Sequence, residues 1–150
     1  IGITGQMHGI VYINSNGSAV SNLINWQDKR ADIELENGKA TCQLIYDITN
    51  EVVSTGYGIA THYYNMLTGI VPSEAVCICT IMDLFGMEIC ENKRPIVHTT
   101  VGASLGLFDT KSENFKFDKL LPKALFSYFT FVYQVYYLYF YSPKNRFCLP

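Results

Sequence analysis

The sequence predicts an α/β domain, and three observations carry that prediction. Strand-like runs open the chain, at residues 1–4, 8–13 and 19–24. Further on, Ile78, Ile81, Met82, Phe85 and Ile89 recur at spacings of three and four within residues 77–90, the stripe of an amphipathic helix. The 150 residues are 49% apolar and 16% charged, which supports one buried core and argues against wholesale disorder.

The elements follow in order. Ile1-Gly2-Ile3-Thr4 reads as a buried strand that Gly5 breaks. The chain opens inside this run, at Ile1 and not at Met, which reads as truncation of a longer sequence. Val11, Tyr12 and Ile13 favour a second strand. Asn14-Ser15-Asn16-Gly17-Ser18 is a turn cluster with Asn-Gly as its hairpin signal, and residues 19–24 return as the second arm. The charged stretch 28–36 is expected to open a helix. Residues 41–49 read either as a short helix or as a segment embedded in a loop. Ser54-Thr55-Gly56-Tyr57-Gly58 is a glycine-bearing loop, and residues 59–66 begin a helix. Asn92-Lys93-Arg94-Pro95 ends the helix predicted over 77–90. Residues 96–99 are expected as a strand, Gly102-Ala103-Ser104 as a tight connection, and Phe108-Asp109 as the end of the regular part. Residues 111–119 are polar and surface-like.

Charge and cysteine usage narrow the function classes. A net charge of -2, scattered histidines and the lack of a basic patch interleaved with aromatics argue against a nucleic-acid partner. Five cysteines, with no second pair at zinc-ligand spacing beside Cys77 and Cys79, read as reduced thiols packed in a cytoplasmic protein.

Two stretches carry chemistry. In Gly5-Gln6-Met7-His8-Gly9, a glycine follows a predicted strand, and Gln6 and His8 then offer neutral donors and acceptors at its carboxyl end. Open α/β sheets place their ligands there. A polyol suits such groups, because each hydroxyl both donates and accepts. The other reading is a loop with one polar histidine. In Trp26-Gln27-Asp28-Lys29-Arg30, Trp26 supplies an apolar face for the C–H side of a sugar. Asp28 can accept from two hydroxyls at once, and Arg30 donates in a planar fork. The alternative is a local surface ion pair between Asp28 and Arg30.

Together and in this order, the two stretches resemble the carbohydrate kinases of the FGGY family. Residues 1–9 are similar to its first sugar-binding segment, where xylulokinase and sedoheptulokinase members carry Gln-Met-His and glycerol kinases a different triplet. Trp26-Gln27-Asp28-x-Arg30 resembles the next segment. Thr55-Gly56-Tyr57-Gly58-Ile59-Ala60-Thr61, Thr80-Ile81-Met82-Asp83 and Ala103-Ser104-Leu105-Gly106-Leu107-Phe108-Asp109 resemble later sedoheptulokinase segments. The resemblance extends over residues 1–120. It implies a partial ribonuclease H-like, actin-like ATPase domain: the amino-terminal sugar-binding domain without its first strands. It also implies ATP- and Mg2+-dependent phosphorylation of a ketose, sedoheptulose-type first and xylulose next, with this chain supplying sugar binding only. Gln6, Met7, His8, Trp26, Asp28 and Arg30 would line the sugar site, with His62 as a further candidate. His98 and Asp83 read as structural.

The departures are specific. The family's Asp-Gly-Thr phosphate hairpin does not occur in this sequence, and its general-base aspartate is expected beyond the chain. No catalytic residue and no metal ligand is therefore assigned, and the fragment alone is expected to be inactive. The alternative is an inactive remnant that binds a sugar or a protein. Residues 121–150 read as a divergent tail outside the domain. Within it, 124–141 is uncharged and rich in Tyr and Phe. Three readings of the tail stay open: a mistranslated end, a buried element, or a membrane anchor near the lower length limit. It is the sole membrane candidate.

Overall fold

The computed structural model describes residues 2–116. Its centre is the strand β1 (Val11–Ile13), whose three residues are all buried. Along one edge β1 pairs antiparallel with β2 (Cys77–Cys79), Val11 opposite Cys79 and Ile13 opposite Cys77. Along the other edge the chain returns through bridges between Ile13 and Ala19 and between Ile10 and Ile24. Asn14 makes the turn, its Oδ1 accepting from the N–H groups of Asn16 and Ser18 at 3.0 Å each. The hairpin predicted from Asn-Gly is present, but its second arm is not a regular strand. Its register slips by two residues between the two bridges. The Tyr12 N–H is taken at 2.9 Å by Ser21 Oγ, so a side chain replaces one ladder carbonyl.

Helices flank this small sheet. Helix α1 (Thr41–Thr49) buries Thr41, Ile45 and Thr49 on one face and stops at Asn50, which turns left-handed at φ 58. Helix α2 (Gly58–Leu67) buries nearly all of its first two turns, which places it in the core. Helix α3 (Ile81–Cys90) follows β2 directly. Thr80 starts it with a capping box, its Oγ accepting from Asp83 N while the Asp83 carboxylate accepts from Thr80 N at 3.1 Å. Asp83 is thus a structural partner, as expected. The six-residue α4 (Thr99–Ser104) is capped by His98, whose Nδ1 accepts from Thr100 N. A terminal hairpin pairs β3 (Phe108–Asp109) with β4 (Asn114–Phe115). Ile10, Tyr12, Ile13, Ile45 and Leu105 are among the most deeply buried side chains.

Several expectations are corrected. Residues 2–6 form no strand, and Ile3 is 43% exposed. No other segment among the described residues pairs with this run, and an extended run without a ladder leaves its backbone groups to water. Residues 28–36 hold only a 3-10 turn at Arg30–Asp32, not a helix. Asp28 there bonds the Arg30 N–H, a local bond that competes with the helical one. Cys77–Cys79 is strand rather than the start of a helix. Residues 96–98 are irregular, and 102–104 belong to α4. The predicted domain boundary after residue 120 and the segment 124–141 lie outside the described residues. Among the described residues, no helix is long and apolar enough to cross a membrane. Four cysteines there, Cys42, Cys77, Cys79 and Cys90, are free.

Candidate functional site

The loop 54–58 draws together the two stretches singled out in the sequence. Gly56, at φ 84, lies so close to the Trp26 backbone that an added Cβ would fall 2.0 Å from the Trp26 carbonyl oxygen. Gly58 opens α2 with equally little room, since a Cβ there would meet Leu105 at 2.6 Å and the His8 carbonyl oxygen at 3.1 Å. Between these glycines, Tyr57 stacks its ring on His8, with centroids 4.5 Å apart and planes inclined by 3°. Thr55 Oγ1 donates to the Asp28 carbonyl at 3.4 Å. One side of the loop therefore holds residues 6–9, and the other holds residues 26–30.

His8 is fixed in three ways. Its backbone sits at φ 74, in the left-handed region that side chains other than glycine seldom adopt. Its ring is stacked on Tyr57. Its Nδ1 bonds the Ser104 carbonyl oxygen. A carbonyl only accepts, so Nδ1 carries the hydrogen, and in the neutral ring Nε2 is left as an acceptor.

Asp28 and Arg30 form a bidentate pair. Arg30 Nε donates to Asp28 Oδ1 at 2.8 Å and Nη2 donates to Oδ2 at 2.9 Å. The Arg30 backbone N–H adds a third bond to Oδ1 at 2.9 Å. Hydrogen bonding from the guanidinium holds the Asp28 carboxyl below its usual range. The sequence left a sugar contact and a local ion pair open for these residues, and the ion pair is formed. Three of the four acceptor positions of Asp28 are spent on Arg30, so one remains for a ligand rather than two.

Arg30 also reaches inward. Its Nη1 donates to Asn65 Oδ1 at 2.6 Å, Asn65 Nδ2 donates to the Tyr12 hydroxyl at 3.0 Å, and that hydroxyl lies 2.7 Å from His62 Nδ1. Burial raises the Tyr12 phenol to about 12 and lowers His62 to about 4, so both are neutral near pH 7.

The predicted site residues therefore divide. Gln6, Met7 and Trp26 are exposed, and His8, Asp28 and Arg30 are half-buried along the same loop. His62 is only 3% exposed and stands behind Asn65 and Tyr12, not on the surface. Tyr57, Asn65 and Tyr12 were not singled out as site residues in the sequence. Asn65 had one signal: an amide three residues after His62, among the apolar positions of a helix. Among the described residues, no three His, Cys, Asp or Glu side chains are grouped as a metal site.

No family model matches the chain. Over 138 residues it is 29% identical to mouse sedoheptulokinase and 28% identical to human sedoheptulokinase, with 80% of this chain covered in each case. The crystal structure of xylulose kinase from Bifidobacterium adolescentis matches 76% of the chain with a TM-score of 0.53 and 12% identity, a likeness of fold. In sequence the chain is similar to sedoheptulokinases, and in fold to a xylulose kinase. This kinase-like chain spans 28% of the mouse relative, 27% of the human relative and 28% of the xylulose kinase.

Proposed function

We propose that this chain supplies the sugar-binding part of a ketose kinase, with a sedoheptulose-type ketose as first substrate and xylulose as second. The observation that carries the reading is the meeting of residues 6–9 and 26–30 on the loop 54–58, with His8 held at φ 74. A strained, well-fastened residue is a reason to look for a ligand. His8 Nε2, the remaining acceptor position of Asp28 and the N–H groups of Arg30 suit hydroxyls, and the exposed Trp26 suits the C–H face of a sugar ring. Gln6 and Met7 border the same site.

In the whole kinase, sugar binding would hold the accepting hydroxyl in line with a phosphoryl donor, where positioning supplies up to about 7–11 kcal/mol. ATP and Mg2+ belong to the family's reaction. Among the described residues no metal-binding cluster occurs, and the sequence has no Asp-Gly-Thr run, so no residue here is assigned to either group. We place the domain within a ribonuclease H-like fold, which the mixed helix and strand content and the likeness to a xylulose kinase support. The free cysteines are in keeping with a cytoplasmic protein.

Isothermal titration of sedoheptulose, with D-xylulose in parallel, tests the reading. The chain should bind at least one of them saturably, and His8→Ala and Asp28→Asn should each weaken binding about tenfold or more. Absence of binding, or equal binding by both variants, would overturn it.

A further inference from the structure

We propose that Asn65 is a positioning residue for Asp28 and Arg30, and that the pair so held presents one carboxylate acceptor and one guanidinium N–H donor to neighbouring hydroxyls of a polyol. This rests on the sugar-binding reading of the site and adds which buried group sets its geometry.

The directions of the bonds make the argument. A guanidinium only donates, so Arg30 forces Asn65 to present Oδ1. The amide nitrogen of Asn65 then faces Tyr12 and donates to it. The Tyr12 hydroxyl, accepting from that amide, also bonds His62 Nδ1, as donor or acceptor according to the His62 tautomer. Arg30 and Asn65 therefore have one orientation that satisfies them, and the donors run one way from Arg30 to Tyr12. Asn65 and Tyr12 are 1% and 2% exposed, so water does not stand in for a lost partner. A rotated guanidinium would strand a buried carbonyl oxygen.

Outside this network Arg30 and Asp28 are only partly covered, with side chains 23% and 25% exposed. A surface pair of that kind is ordinarily free to swing. Here the third attachment, to Asn65, fixes the guanidinium plane. Of the five N–H groups of Arg30, three bind Asp28 and Asn65 through Nε, Nη1 and Nη2. Nη1 and Nη2 each carry a second N–H, and the one on Nη2 shares its nitrogen with the bond to Asp28 Oδ2, the oxygen that keeps the remaining acceptor position. That is the pattern for two adjacent hydroxyls, one donating to Asp28 and the other accepting from Arg30.

The test combines proton exchange with sugar titration on the full chain. The sequence has three arginines, Arg30, Arg94 and Arg146, so the Nε–H signal of Arg30 is assignable by its loss in Arg30→Lys. Asn65→Leu and Tyr12→Phe should speed exchange of that N–H about tenfold or more and weaken sedoheptulose binding by a similar factor. Asn65→Asp, which keeps an acceptor for Arg30, should restore slow exchange. Tyr12→Phe keeps the test decisive should Asn65→Leu fail to fold. Unchanged exchange in both variants overturns the positioning role, whether or not sugar binds. Faster exchange with unchanged affinity overturns its service to the ligand. If exchange responds but the unsubstituted chain binds neither sedoheptulose nor D-xylulose, the sugar-binding reading fails, and with it the polyol half of the proposal.

Discussion

The Tyr12 hydroxyl and His62 Nδ1 are hydrogen-bonded across 2.7 Å, and Arg30 stands two links away, joined to Tyr12 through Asn65. Burial holds His62 neutral inside the core, rather than poised as a cation at the surface.

This makes stability depend on pH. Burial pulls His62 down to about 4, below the roughly 6.5 of an unfolded histidine. Because the unfolded chain takes up the proton first, the contribution is whole above about pH 6.5 and is lost as pH falls toward 4. Between pH 7 and 5 the loss is on the order of 2 kcal/mol. Urea unfolding at the two pH values should show it, and His62→Asn, which keeps an acceptor for Tyr12, should lose most of the dependence. Asp83 acts in the opposite sense: burial raises its carboxyl, so its contribution fades as pH rises through the folded value. It is the same in both proteins and drops out of the comparison.

Gly56→Ala should displace the loop 54–58. The new Cβ would collide with the Trp26 carbonyl at a residue whose φ is 84. Backbone strain of this kind costs about 1–3 kcal/mol before the collision is counted. Trp26 is the sole tryptophan, so a shifted emission maximum and a lower urea midpoint should appear together. An unshifted spectrum at unchanged stability would contradict the packing described.

Tyr57→Ala removes the ring stacked on His8. Such a pair is worth about 0.5–1.5 kcal/mol beyond the area it buries. Sedoheptulose affinity should fall several-fold as His8 loosens, which the same titration measures. Tyr57→Phe should retain it.

Thr80→Ala removes half of the capping box between β2 and α3. Loss of such a cap costs about 0.5–2 kcal/mol. Urea unfolding should show that loss as a lower midpoint at an unchanged slope.

What was legible in the sequence was local. Asn14 and Gly17 marked the turn, residues 59–66 and 77–90 were read as helical, and 41–49 as a short helix or a loop segment, because their signals lie within a few residues. Cys77–Cys79 was misread because three buried apolar residues look the same in a strand and in a helix. The failed helix at 28–36 had charge but no apolar stripe, and Asp28 turned its carboxylate back on Arg30. Both halves of the candidate site were visible as short motifs. The links behind them were not: Asn65 meets Tyr12 across 53 positions, and only the packing of α2 against β1 makes them neighbours.

The most direct measurement is a fluorescence titration of Trp26 with sedoheptulose. Emission should change saturably, and His8→Ala and Asp28→Asn should each shift the curve to about tenfold higher sugar concentration. A flat response, or one curve shared by all three proteins, would contradict this.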